Sequence, residues 1–364
     1  MKKFLLFNIL LLSGIILSAQ NNIDSLFPVR SVSIGVPSPS KIDSFIRFIR
    51  NEMVPRKVNN LVLRVDYNYA YTSHPELVGP NVLTRENAKK ILSVCKENGI
   101  QIVPLVNLFG HQSWASKAGK LLEVYPQFDE TPGIKLPAEY KWPNEDSLYC
   151  KSYCPLHPDV HNVVFDLADE ICEVFEATAF HAGMDEVFYI ADKNCPRCKG
   201  KDRSELFAGE VNKIRDHLAK KNRRLWIWGD RLIEGNVSGL GIWEASGNDT
   251  HRAIDMVKKD VVICDWHYER PDKTAYYFAM KGFDVITGTW RDPGLARIQS
   301  KDMMDFRSQA TPVMRPRFLG MMHTVWSPAD SFMSDYYKNV ATTPFDQDET
   351  FRSLFAEMIK LAAK

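Results

Sequence analysis

Eight short runs rich in Val and Ile, alternating with longer segments of helical periodicity, restrict what this chain can fold into more than any other feature. The runs are SVSIGV (31–36), NLVLRVD (60–66), IQIVPLVNL (100–108), ATAFHAGM (177–184), RLWIWG (224–229), VVICDW (261–266), DVITGTW (284–290) and FLGMMHTVW (318–326). Each is close to continuously apolar, the pattern of a strand buried on both faces. Helical patterns separate them at 40–52, 84–98, 159–176, 203–221, 250–258, 272–281 and 294–309. Strand and helix in alternation imply parallel pairing, and eight such units predict an α/β fold, a closed (β/α)8 TIM barrel, as a single domain over 30–340. The stretch 341–364 holds a last helix expected to pack on the outside of the barrel.

One connection is far too long for a simple crossover. Residues 109 to 158, with QFDETPGIKLPAEYKWPNEDS at their centre, form an elaborated loop after the third strand. In a barrel that loop sits at the carboxyl face, where active sites are built. The chain begins with Lys2 and Lys3, an apolar segment from Phe4 to Leu17, and Ser18-Ala19-Gln20, the layout of a secretory signal over 1–19. This predicts a secreted or periplasmic protein. The apolar run is short for a bilayer span and no second one follows, so the mature chain is not expected to insert into a membrane.

With 46 Lys and Arg against 45 Asp and Glu, and no basic block, nothing points to nucleic acid or an anionic surface. Small neutral partners are expected instead. Among the seven cysteines, Cys150 with Cys154 and Cys195 with Cys198 form two closely spaced pairs, the second in the knuckle-like NCPRCKG. The four read as a structural zinc site, as disulfides or as free thiols. Cys95, Cys172 and Cys264 lie in apolar runs and read as core.

Chemistry concentrates at the ends of the strand candidates. The fourth run leads through AFHAGMDEVFYI to two adjacent acids, Asp185 and Glu186, in apolar surroundings, where an ionised carboxylate is costly unless something uses or pairs it. Asp66 ends the second run and His111 follows the third, while Trp228, Trp266, Trp290 and Trp326 close the fifth to the eighth. Indole faces with carboxylates among them suit a sugar, whose C–H faces stack and whose hydroxyls seek polar partners.

The motif HAGMDE at the end of a fourth barrel strand, His181 to Glu186, resembles the His-x-Gly-x-Asp-Glu of glycoside hydrolase family 20, the β-N-acetylhexosaminidases. PLVNLFGH, 104–111, is similar to that family's third-strand pattern. The resemblance implies an exported glycoside hydrolase acting on β-linked N-acetylhexosamine glycosides of a glycan or oligosaccharide. Hydrolysis would be retaining and substrate-assisted, a departure from the usual two-carboxylate scheme. Glu186 would be the acid/base and Asp185 the carboxylate orienting the 2-acetamido group, with no cofactor needed for catalysis. Trp228, Trp266 and Trp326 would form the aromatic wall, Tyr268 or Trp290 its edge, and His111 and His181 match the histidines of the two motifs.

The sequence departs from the family in the residues that read hydroxyls. Leu105 and Asn107 replace acids of the third-strand pattern, the first strand ends in GVPSPS without an Arg, and Ser327 and Pro328 follow Trp326 where a Glu is usual. Two rivals therefore stand beside the hydrolase reading. One is a metal-dependent barrel hydrolase using His111, His181, His267 and His323 with Asp185 and Asp265. The other is a non-catalytic carbohydrate-binding protein on the same scaffold.

Overall fold

In the computed structural model, which describes residues 22–141, 150–338 and 347–363, the eight apolar runs are eight strands. They are β1 (Val29–Gly35), β2 (Asn60–Arg64), β3 (Gln101–Leu108), β4 (Ala179–Gly183), β5 (Arg224–Trp228), β6 (Val262–Trp266), β7 (Asp284–Thr289) and β8 (Phe318–Thr324). All pair in parallel, each with its sequence neighbours, and β1 closes on β8 through the register Val29 with Gly320. The expected closed (β/α)8 barrel is the observed one. The candidate leader, 1–19, lies outside the described residues.

Period-two burial explains the continuous apolarity of the strands. Trp226 and Trp228 of β5, Val262 and Cys264 of β6, and Val103 and Leu105 of β3 point into the barrel, where they meet Val62, Ala179, Ile286 and Met322. The alternating Leu225, Ile227, Ile263, Ile102 and Val106 face the helical layer. That layer contains α1 (Ile42–Phe48), α2 (Arg85–Glu97), α3 (Val160–Val174), α4 (Arg203–Ala219), α5 (Thr274–Met280), α6 (Pro293–Gln309), α7 (Ala329–Lys338) and α8 (Gln347–Ala362). Their starts are written locally. Thr84 accepts the Asn87 N–H at 3.2 Å ahead of α2, and Asp202 accepts that of Glu205 at 3.0 Å ahead of α4. Asp292, before Pro293, accepts the N–H groups of Gly294 and Leu295.

Two helical expectations change. The 40–52 segment begins as a 3-10 turn, becomes α1, and ends as a π-helix over Ile49–Met53. The 250–258 pattern yields only a 3-10 helix, His251–Asp255. Glycines at 235, 239, 241 and 247 keep the chain before it irregular, and Gly239, Gly241 and Asp249 adopt left-handed backbone there. At the other end, α8 buries Phe351, Leu354, Phe355, Met358 and Leu361, one helical stripe, and packs against α6. Among the described residues no helix is long and apolar enough to cross a membrane.

Candidate active site

The acidic pair stands where it does because β4 stops one residue early for an extended strand. Gly183, Met184 and Glu186 all have positive φ, at 67°, 68° and 49°, so the chain coils as it leaves the barrel and neighbouring side chains need not face opposite ways. Gly183 is required twice over: a Cβ there would lie 2.4 Å from Asn107 Oδ1 of β3, at a φ that side chains resist. Gly110 has the matching role in the loop after β3. A Cβ on it would sit 2.6 Å from the carbonyl oxygen of Asp185, so the two loops cross backbone to backbone.

That crossing brings His111 to the acids. Its Nε2 lies 3.2 Å from Asp185 Oδ2 and 3.2 Å from Glu186 Oε2. Burial alone would depress the imidazole, but the charges of Asp185 and the nearby groups hold its pKa well above the ordinary value, so His111 is a cation between two carboxyls. Burial likewise works against the charge of Asp185, yet His111 keeps its carboxyl below the usual range. From the 3-10 turn that follows β5, Asp230 Oδ2 accepts the backbone N–H of Glu186 at 2.9 Å.

Both acids open on a cavity of about 840 Å³ at the carboxyl rim, with Trp266, Tyr268, Trp290 and Trp326 on its wall. Trp326 Nε1 donates to Tyr268 Oη at 3.1 Å, and the Tyr268 ring sits 5.0 Å from Trp266 and 5.3 Å from Trp290. Several wall residues had no signal in the sequence analysis. Trp114 reaches the cavity from a two-residue strand, Ser113–Trp114, paired antiparallel with Lys117–Ala118 in the connection after β3, and Trp243 from an irregular loop after β5; both stretches are too short or too irregular for periodicity to assign a direction. Arg64, read simply as part of a strand, pairs in register with Gly35 and projects its guanidinium beside the end of β1, over the Trp326 ring at 5.1 Å. Its Nη1 is buried without a hydrogen-bond partner among the described residues. Glu244 is held at the rim by His267 Nδ1 at 2.9 Å and the Tyr268 N–H at 2.9 Å. Asp66 accepts both the backbone and side-chain N–H of Asn107.

Three expected site residues fall elsewhere. Trp228 is 1% exposed and lies under the cavity floor, because its position in β5 points inward with Trp226 and its ring meets His181 at 4.5 Å. His181, one strand layer below the acids, is wholly buried; its Nδ1 accepts the Gly183 N–H at 3.0 Å and burial pushes its pKa down to about 3. It shapes the turn after β4 and does not line the cavity. Cys150 is not beside Cys154: the chain carries it to His111 and Glu186, where its thiol donates to the Glu186 carbonyl at 3.4 Å. The imidazoles on which a metal hydrolase would depend do not converge either. His323 is buried against Phe332 and Phe351 with its pKa pushed down to about 3, and His267 is engaged by Asp265 and Glu244.

Architecture and site together define a (β/α)8 barrel whose candidate chemistry sits at the carboxyl ends of its strands. The chain belongs to glycosyl hydrolase family 20, since residues 57–327 match the model of that family's catalytic domain. It is 26% identical over 192 residues to a beta-hexosaminidase of Porphyromonas gingivalis, covering 50% of this chain and 23% of that protein. To a beta-hexosaminidase of Vibrio furnissii it is 25% identical over 206 residues, covering 56% and 29%. The chain thus spans less than a third of the length of these curated relatives. Among solved structures, a Flavobacterium johnsoniae chitobiase superposes with a TM-score of 0.62 at 16% identity, over 92% of this chain and 52% of that one. The beta-N-acetylhexosaminidase of Bacteroides fragilis gives 0.60 at 18%, over 92% and 66%, and both share the barrel fold.

Proposed function

We propose that the chain hydrolyses β-linked 2-acetamido-2-deoxyhexosides with retention, using the substrate's own acetamido group as nucleophile, and that it acts after export. The observation that carries the reading is the pair Asp185 and Glu186 opening side by side on a tryptophan-walled cavity with the His111 imidazole within 3.2 Å of both. A substrate that brings its own nucleophile needs one proton shuttle and one orienting anion, and adjacent carboxyls supply both.

In the first step the acetamido oxygen attacks C1, the C1–O bond to the leaving group breaks, and the departing oxygen takes the proton of Glu186. Asp185 accepts the acetamido N–H and opposes the positive charge that develops on the oxazolinium ring. In the second step Glu186 removes a proton from water, the water oxygen bonds to C1, and the ring C1–O bond opens to restore the acetamide. Trp266, Tyr268, Trp290 and Trp326 enclose the sugar. Arg64 and Glu244 read its hydroxyls in place of the missing first-strand Arg and the missing Glu after Trp326. Export rests on the leader pattern of residues 1–19 and is checked by the N-terminus of the mature protein.

The test is turnover of a chromogenic β-GlcNAc and β-GalNAc pair. Wild type is expected to cleave at least one, and Glu186→Gln to lose roughly 10²- to 10⁴-fold in kcat, with a smaller loss on a substrate whose leaving group needs no proton. Saturable binding without turnover across a panel of glycosides would replace this reading by a sugar-binding protein.

A further inference from the structure

Outside the lining of the cavity, four potential ligands converge that the chemistry above does not use. Glu130 and Cys154 come from the long connection after β3, and Cys195 and Cys198 from the loop after β4. One ligand atom from each lies within 4.8 Å of the others, and all four residues are buried. We infer that Glu130, Cys154, Cys195 and Cys198 bind one structural zinc ion that staples the two loops together. The set differs from the one read in sequence by a single exchange, Glu130 for Cys150.

The geometry fits the ion better than it fits a crosslink or an apolar thiol cluster. Cys154 Sγ is 3.4 Å from Cys198 Sγ and 3.6 Å from Cys195 Sγ. Tetrahedral zinc with Zn–S near 2.3 Å sets its sulfurs roughly 3.8 Å apart, whereas a disulfide needs about 2.05 Å. Backbone N–H groups face two of the sulfurs: those of Arg197 and Cys198 point to Cys195 and that of Leu156 to Cys154. One oxygen of Glu130 accepts the Asp192 N–H at 3.1 Å, and the buried carboxyl otherwise faces the thiols of Cys154, Cys195 and Cys198. Burial raises the pKa of this carboxyl, and a cation held by the same four groups would offset the cost of ionising it there.

Charge and ligand type point the same way. Three thiolates and a carboxylate around Zn²⁺ leave two negative charges, and Lys193, Arg197, Lys199 and Lys201 flank the knuckle in sequence. Three soft sulfurs in a closed tetrahedral set select zinc over magnesium or calcium. Binding releases the three thiol protons, so affinity rises with pH. The staple holds the loop bearing His111 to the loop bearing Asp185 and Glu186, at a distance from any substrate.

The experiment uses the whole chain, expressed with zinc and purified without chelator. Native mass spectrometry and elemental analysis are expected to give one zinc per chain. Exchange with cobalt should produce thiolate-to-metal charge-transfer bands and the strong visible absorption of a tetrahedral site. Cys198→Ser is expected to lower zinc affinity roughly tenfold or more; should that variant not fold, the cobalt spectrum of the wild type decides. A folded, metal-free chain with two fewer free thiols than its seven cysteines, and a mass lower by two hydrogens, would overturn the proposal in favour of a disulfide. A folded, zinc-replete preparation with all thiols free and no bound metal would overturn it as well.

Discussion

The backbone N–H of Glu186 donates to Oδ2 of Asp230 at 2.9 Å, so the turn after β5 fixes where the side chain of Glu186 begins. Asp230 is held in turn. The same oxygen accepts Arg231 Nε at 2.7 Å, and Arg231 reaches on to the carbonyls of Ile242, Trp243 and Ala245. Glu186 needs such support because its φ of 49° is one that side chains resist. Asp230→Ala removes the acceptor and is expected to lower kcat by roughly 10- to 100-fold with KM changed little. Asp230→Asn keeps an acceptor oxygen and should fall between the two. Steady-state kinetics on a chromogenic glycoside checks this, and an effect confined to KM would mean that the contact does not position the acid.

His111 is the next test, because it serves both carboxyls. With its positive charge removed in His111→Gln, the largest influence opposing burial at Asp185 is lost and the pKa of that carboxyl rises. The proposed mechanism needs Asp185 ionised, so the acid limb of the kcat/KM profile should move to higher pH and the maximum fall by roughly 100-fold. A profile that drops uniformly without moving would assign His111 to substrate contact alone.

The barrel was legible in the sequence because its strands are apolar on both faces, and one-letter runs report that directly. Direction within a strand was not equally legible. Trp228 and Trp266 both end tryptophan-closed runs, yet Trp228 points into the closed interior with Trp226 while Trp266 reaches the cavity. The acidic pair was readable from its motif and apolar flanks, but the groups proposed to read hydroxyls were not, since Arg64 and Glu244 line the cavity from a strand and a loop where the sequence offers no motif. Cys150 was misplaced for a related reason. Spacing along the chain cannot reveal that Cys150 and Cys154, four residues apart, turn to different neighbours.

His267 couples the rim to folding stability. Burial lowers its proton affinity, but Asp265 at 3.2 Å and Glu244 at 2.9 Å more than offset this and raise its pKa to about 10. In the unfolded chain the ordinary value is about 6.5. The folded state therefore binds the proton more tightly, and the stabilisation is fully present below about pH 6.5 and is lost as pH rises through about 10. Thermal midpoints across that window should fall more steeply for wild type than for His267→Gln, which is expected to be less stable below the window and to approach wild type above it. Parallel curves would show that the imidazole does not carry the linkage.

Gly183 offers a prediction that separates backbone geometry from chemistry. Ala at this position adds no charge and removes no contact, but its Cβ would meet Asn107 Oδ1 at 2.4 Å and the Asn107 Cα at 3.2 Å, with φ at 67°. Either the Asn107 side chain leaves Asp66, whose Oδ1 accepts two of its N–H groups, or β4 moves away from β3. Strain of this kind costs about 1 to 3 kcal/mol, so denaturant unfolding of Gly183→Ala should show a loss of that size. The second consequence is functional: a shift at Gly183 displaces Asp185 and Glu186 together, and kcat should fall by roughly 100-fold while the protein remains folded. Restoring room on the other side, with Asn107→Ala in the Gly183→Ala background, should recover part of the stability, and its failure to do so would place the strain in the backbone torsion and not in the clash.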